Sequence, residues 1–191
     1  TAPLAGVPFA SLSELQIANV LAVYQKRSQE LLLQNDIEYV LVFRNDGYEA
    51  GASLAHAHSQ IFALPVVPKK YQRESELAEE YTKENNRNPY EDIIAVAEDK
   101  NFLVFCPYAS QWPFELWLLP KRQFSLSTQL NQSEVRSTAH YFKKYLQKLT
   151  GHKISFNLYL ENGVSKNHRF CIKICGRSSI WGGFEVATGI V

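Results

Sequence analysis

Methionine is absent from the 191 residues, and a chain without one does not begin at its own initiator, so further sequence upstream of Thr1 is expected. Cysteine is scarce. Cys106, Cys171 and Cys175 make neither an even set nor paired Cys-x-x-Cys hairpins, which excludes a disulfide framework and a zinc ribbon. Cys171 and Cys175 on one strand would share a face but stand too far apart to bridge, so reduced thiols are expected. No apolar run approaches the length of a membrane span, and no secretory signal opens the chain. Charge of one sign is missing too: the net charge is +1, without a block of lysine or arginine. That excludes a general nucleic-acid binder and leaves any anionic ligand to be held locally. The expectation is a cytoplasmic protein with neither a membrane nor a nucleic acid as partner. A hydrophobic content of 46% is ample for a packed core, in one large domain or two small ones.

Periodicity supplies the elements. The S-x-x-E spacing from Ser11 to Glu14 suggests a capping box, and Ile17, Val20, Leu21, Tyr24, Leu31 and Leu32 recur at helical intervals, so a helix is predicted over 12–33. The apolar run 39–43 reads as a buried strand leading into Asn45. A charged helix is predicted over 69–86, strands over 92–98, 102–108 and 115–119, and a second amphipathic helix from a Ser133 cap to Gly151. Strands over 154–160 and 170–175 follow. His140, beside the apolar stripe of the second helix, reads as a surface residue.

One stretch stands apart from this frame. Residues 45–65 carry Gly47 and Gly51, then Ser53, then His56, His58 and Gln60 at alternate positions ahead of Pro65. Alternation on a strand would project both histidines and the glutamine from one side. The glycine-containing loop can bring backbone N–H groups close to a ligand, which suits phosphate. From the residues alone three readings stay open: phosphate chemistry, half of a metal site, or two buried hydrogen-bonded histidines.

The pattern Asn-x-Gly, Ala-Gly-x-Ser, His-x-His-x-Gln, at Asn45, Gly47, Ala50, Gly51, Ser53, His56, His58 and Gln60, resembles the active-site segment of the galactose-1-phosphate uridylyltransferases. That family lies in the histidine triad superfamily, with relatives that phosphorolyse ADP-glucose or dinucleoside tetraphosphates. The resemblance implies that His58 is the nucleophile that becomes nucleotidylated and that His56 supports it. Asn45, Gly51, Ser53 and Gln60 would contact the phosphates. It also implies nucleoside diphosphate sugar and sugar 1-phosphate as substrates, a homodimer, and hexose contacts from Phe184 and Glu185. Gln60, where hydrolases of the superfamily carry a third histidine, can donate a hydrogen bond but cannot shuttle a proton, which favours transfer over hydrolysis. A nucleotide-binding protein without catalysis is the competing reading.

Helix, strand, Gly-containing turn and returning strand recur from Ser11 to Leu64 and from Ser133 to Cys175. The expected fold is therefore α+β, built of duplicated histidine triad-like units with an antiparallel sheet and packed helices. Residues 1–86 would be the later part of a first, N-terminally incomplete unit, and 87–191 a second unit without catalytic histidines. Some relatives hold a metal through a glutamate that Glu74 matches. Arg169 and Cys171 occupy the accompanying histidine positions and His168 alone does not complete a set, so no metal is expected there. Any zinc is expected in the upstream part.

Overall fold

The computed structural model describes residues 7–54, 56–91, 93–178, 180 and 187–188. Helix α1 spans Glu14–Leu32 and is followed by strands β1, Tyr39–Asp46, and β2, Gln60–Leu64. Helix α2, Lys69–Asn85, precedes β3, Ala97–Glu98, β4, Phe102–Phe105, and β5, Leu116–Pro120. Helix α3, Gln132–Gly151, then leads to β6, Ser155–Glu161, and β7, Cys171–Arg177. The fold is α+β, as expected.

Both long apolar helices have reciprocal caps, each two residues from where the sequence suggested. Ser13 caps α1: its Oγ accepts from Gln16 N at 3.2 Å and its own N–H donates to Gln16 Oε1 at 2.8 Å. The expected box at Ser11 is unavailable because Ser11 closes the preceding turn, its Oγ donating to the Pro8 carbonyl at 2.7 Å. Asn131, not Ser133, caps α3, with Glu134 as its partner. Ser133 instead accepts from the Asn101 side chain at 3.0 Å.

All seven strands join one antiparallel sheet in the order β2-β1-β6-β7-β5-β4-β3. The central pairing runs between the two halves of the sequence, Val42 opposite Leu160 and Asp46 opposite Phe156. Because side chains alternate across the pleat, Val42, Leu158, Ile172 and Leu118 face α1 and α3, where they meet Ile17, Leu21, Phe142 and Leu146 in the main core. Each such large side chain stabilises the fold by about 1.5–3 kcal/mol on burial. The opposite face carries Phe43, Asn45, Asn157, Tyr159, Lys173 and Arg177, and α2 covers part of it, with Tyr71 stacked on Tyr39 at 5.1 Å. The strand expected over 92–98 is shorter: pairing begins at Ala97. Among the described residues no helix is long and apolar enough to cross a membrane.

Candidate active site

The segment that carries the histidines is a loop and not the strand expected of it. β1 and β2 pair from Tyr39 opposite Leu64 only as far as Phe43 opposite Gln60. Beyond that point the next residue of β1, Arg44, turns its side chain to the loop: Nη1 donates to the His58 carbonyl at 2.9 Å. Nε and Nη2 donate to Asp46 Oδ2 at 3.2 and 3.0 Å, and the guanidinium lies 4.6 Å from the centre of the Phe9 ring. A buried arginine thus replaces the strand ladder. The signal was in the sequence, since Arg44 shares the inward phase of Val40 and Val42.

Between β1 and the histidines the chain makes one tight turn, Tyr48–Ala50, framed by two glycines. Gly47 has φ 91°, and a Cβ there would stand 2.1 Å from Ser155 Oγ, so only glycine fits. Gly51 closes the turn at φ 78°. The loop is pinned from β6: Asn157 Nδ2 donates to Asn45 Oδ1 at 2.8 Å and to the Ala50 carbonyl at 2.9 Å, and Ser155 Oγ donates to Glu49. That hydrogen bond holds the Glu49 carboxyl below the ordinary range. With its oxygen engaged, Asn45 has its amide hydrogens to offer a ligand.

The two histidines open on adjoining cavities. One, of about 360 Å³, is lined by Arg44, Asn45, Gly47, Tyr48, Ser53 and His56. The other, of about 380 Å³, lies against α1 and is lined by Phe9, Tyr24, Arg44, His58, Ser59 and Ile61. Arg44 and Ala57 border both. The single row of His56, His58 and Gln60 expected from alternation is therefore not formed: Gln60, first residue of β2 and opposite Phe43, lines neither space. Gly51 shapes the loop without lining either cavity. A third space, of about 500 Å³, lies on the open sheet face between Asn45, Phe43, Lys70 and Trp112, whose ring is 3.9 Å from the Arg177 guanidinium. Asn45 borders it and the first cavity alike.

His58 has a defined tautomer. Its Nδ1 lies 2.9 Å from the His56 carbonyl oxygen. A carbonyl only accepts, so Nδ1 carries the hydrogen and Nε2 of the neutral ring keeps its lone pair. His56 thus meets His58 through its backbone carbonyl.

Away from this loop, Glu74 of α2 approaches Glu161 and His168, and Lys173 joins them. Glu161 and Lys173 went unremarked in the sequence because each sits in an ordinary strand. Phe184 and Glu185 lie outside the described residues.

Similarity to known proteins spans this loop and most of the chain. Residues 3–68 match the model of the galactose-1-phosphate uridyl transferase N-terminal domain. An ADP-glucose phosphorylase of Arabidopsis thaliana is 28% identical over 98% of this chain and 57% of its own length. A galactose-1-phosphate uridylyltransferase of Thermotoga maritima is 27% identical over 67% of this chain and 42% of its own. The crystal structure of an Arabidopsis thaliana ADP-glucose phosphorylase with bound ADP-glucose superposes with a TM-score of 0.90 at 26% identity, covering 98% of this chain and 65% of that one. The chain thus spans roughly half the length of the curated relatives it matches. Over residues 3–68 in sequence, and over nearly all its length in architecture, the chain is similar to proteins of the galactose-1-phosphate uridylyltransferase family and to ADP-glucose phosphorylase.

Proposed function

We propose that this chain carries the catalytic loop of a nucleotidyltransferase that moves a nucleoside monophosphate from a nucleoside diphosphate sugar to a phosphate-bearing acceptor through a nucleotidyl-His58 intermediate. The observation that carries the reading is the His58 tautomer. Nε2 attacks the α-phosphorus, the N–P bond forms, and the bond from phosphorus to the bridging oxygen breaks. The sugar 1-phosphate leaves as a stable anion and needs no proton, so no general acid is required. The ring then bears a positive charge, which the Nδ1–H bond to the His56 carbonyl eases. In the second half the acceptor phosphate oxygen attacks the same phosphorus and Nε2 departs.

Around that step Asn45 and Ser53 donate to the phosphate oxygens in the glycine-shaped cavity, and Arg44 holds the His58 backbone. Gln60 lines neither cavity; its contact to a phosphate oxygen rests on the resemblance alone, and an amide there moves no proton. By resemblance Phe184 and Glu185 contact the hexose, and a second copy of the chain completes the sugar site.

The acceptor is a hexose 1-phosphate in the uridylyltransferase reading. Inorganic phosphate is the second reading, favoured by similarity to the phosphorylase over 98% of the chain. The test uses full-length protein with UDP-glucose or ADP-glucose and labelled glucose 1-phosphate, with no other acceptor. Exchange of label into the nucleotide sugar, lost in His58→Asn, supports the reading. Tight nucleotide binding without exchange would make the protein a binder. Release of nucleoside diphosphate on adding phosphate separates the phosphorylase from the uridylyltransferase.

A further inference from the structure

Glu74, Glu161 and His168 form the one group of three potential metal ligands among the described residues, one donor atom of each lying within 4.8 Å of the others. These are the surroundings in which the sequence resemblance suggested a metal-binding glutamate. The donors, however, are already engaged. Lys173 Nζ lies 2.7 Å from Glu161 Oε2 and 3.7 Å from Glu74 Oε2, with the Trp117 ring centre 3.8 Å away. The lysine side chain is 2% exposed and the Glu161 side chain 1%, so this ion pair is shut off from water.

His168 is committed in the same sense. Val164 N–H donates to its Nδ1 at 3.4 Å, so Nδ1 is the acceptor and Nε2 carries the hydrogen. That hydrogen points toward Glu161 Oε1 at 3.4 Å and Glu74 Oε2 at 3.7 Å. Beside the ammonium the imidazole thus presents an N–H to the cluster, and a metal would have to reverse that tautomer to reach the lone pair. The neighbouring strand offers no substitute. Cys171 Sγ, buried, donates to the Leu118 carbonyl at 3.4 Å, and burial pushes its thiol up, away from the thiolate a metal takes. Arg169 donates to the carbonyls of Pro120, Lys121 and Arg122. A divalent ion entering here would stand within a few ångströms of an ammonium in a low-dielectric site, where like charges repel strongly.

We infer that the Lys173 ammonium is this chain's resident cation, filling from within the place a metal ion would take and fastening α2 and the 162–170 loop to β6 and β7. The residues therefore do not fit a metal, and the fold of this region is metal-independent. The consequence reaches the open sheet face, since Lys70 and Tyr71 of α2 border the cavity that Asn45 shares.

Full-length protein is titrated with cobalt(II), and the ions bound per chain and the thermal midpoint are measured for the parent, Lys173→Met and Glu161→Gln. Ions held elsewhere cancel in the differences. The inference expects the parent and Glu161→Gln to bind equal cobalt, and the midpoint difference between EDTA and zinc to be the same in both. It expects Lys173→Met to gain one ion per chain and to have its lowered midpoint raised by zinc more than the parent's is. One ion fewer in Glu161→Gln than in the parent would overturn it, as would a folded Lys173→Met that gains none. If Lys173→Met does not fold, the comparison of the parent with Glu161→Gln decides alone.

Discussion

Asn157 of β6 holds Asn45 of β1: one side-chain NH₂ donates to the Asn45 side-chain oxygen at 2.8 Å and, at 2.9 Å, to the carbonyl of Ala50. The second half of the chain thereby sets the shape of the loop that the first half contributes. Replacing Asn157 by Asp keeps the volume but removes both donors. Each deserted acceptor costs about 1–3 kcal/mol. Urea unfolding should show a loss of about 2–6 kcal/mol for the two acceptors together, and nucleotidyl exchange should fall at least tenfold. Unchanged exchange would mean that the loop keeps its shape without Asn157.

Gly47→Ala tests the loop from the other side. Its φ of 91° already strains an L-residue, and the new methyl would meet Ser155 Oγ at 2.1 Å. The backbone strain alone is about 1–3 kcal/mol, and the clash adds to it. Gly47→Ala combined with Ser155→Gly should recover the clash, less the lost hydrogen bond from Ser155 to Glu49. Gly151→Ala is the control: a Cβ there meets nothing within 4 Å at the end of α3, and the change should stabilise by about 0.5–1 kcal/mol. Differential scanning calorimetry of the four proteins reads all these differences.

The Glu161 and Lys173 pair predicts a pH window. Burial works to raise the Glu161 carboxyl, but its hydrogen bond with His168 and the charge of Lys173 outweigh burial and hold it below its ordinary 4.5. Its stabilising contribution is therefore present above pH 4.5 and is lost as pH falls through the lowered value. Burial works to lower Lys173, and the carboxylates Glu161 and Glu74 outweigh it, so its contribution is present below the ordinary 10.5 and is lost as pH rises through the raised value. Glu74 runs oppositely to Glu161: burial first, then the Glu161 charge, raises it, so its own contribution weakens as pH rises through that raised value. Glu161→Gln should cost about 3–5 kcal/mol near neutrality, the price of leaving Lys173 buried without its partner. The gap between variant and parent in denaturant unfolding should narrow as pH drops below 4.5. A gap constant with pH would mean that the pair contributes nothing electrostatic.

Much of the fold was legible because local patterns and the long-range answer agree. The α3 stripe of Val135, Ala139, Phe142, Leu146 and Leu149 is buried as its spacing implies. His140 sits on the surface against Glu14. The cap of α1 was misread because Ser11-x-x-Glu14 and Ser13-x-x-Gln16 both satisfy the pattern, and only the turn from Pro8 separates them. The histidine loop was misread for a long-range reason: alternation describes a strand only where a neighbour supplies the ladder. Here the Arg44 side chain takes the His58 carbonyl instead. Glu74, Glu161, His168 and Lys173 come from four separate stretches, so their meeting could not be read from any one of them. The glycine and histidine spacing, by contrast, was legible because it is contiguous in sequence.

The most direct test of the account is to mix full-length protein with a nucleoside diphosphate glucose, quench under denaturing alkali, and map the adduct by mass spectrometry. The account predicts one nucleoside monophosphate per chain on His58, stable to base and labile to acid, released by glucose 1-phosphate or inorganic phosphate and absent in His58→Asn. Turnover of the nucleotide sugar with no adduct on His58, or with an adduct on any other residue, would contradict it.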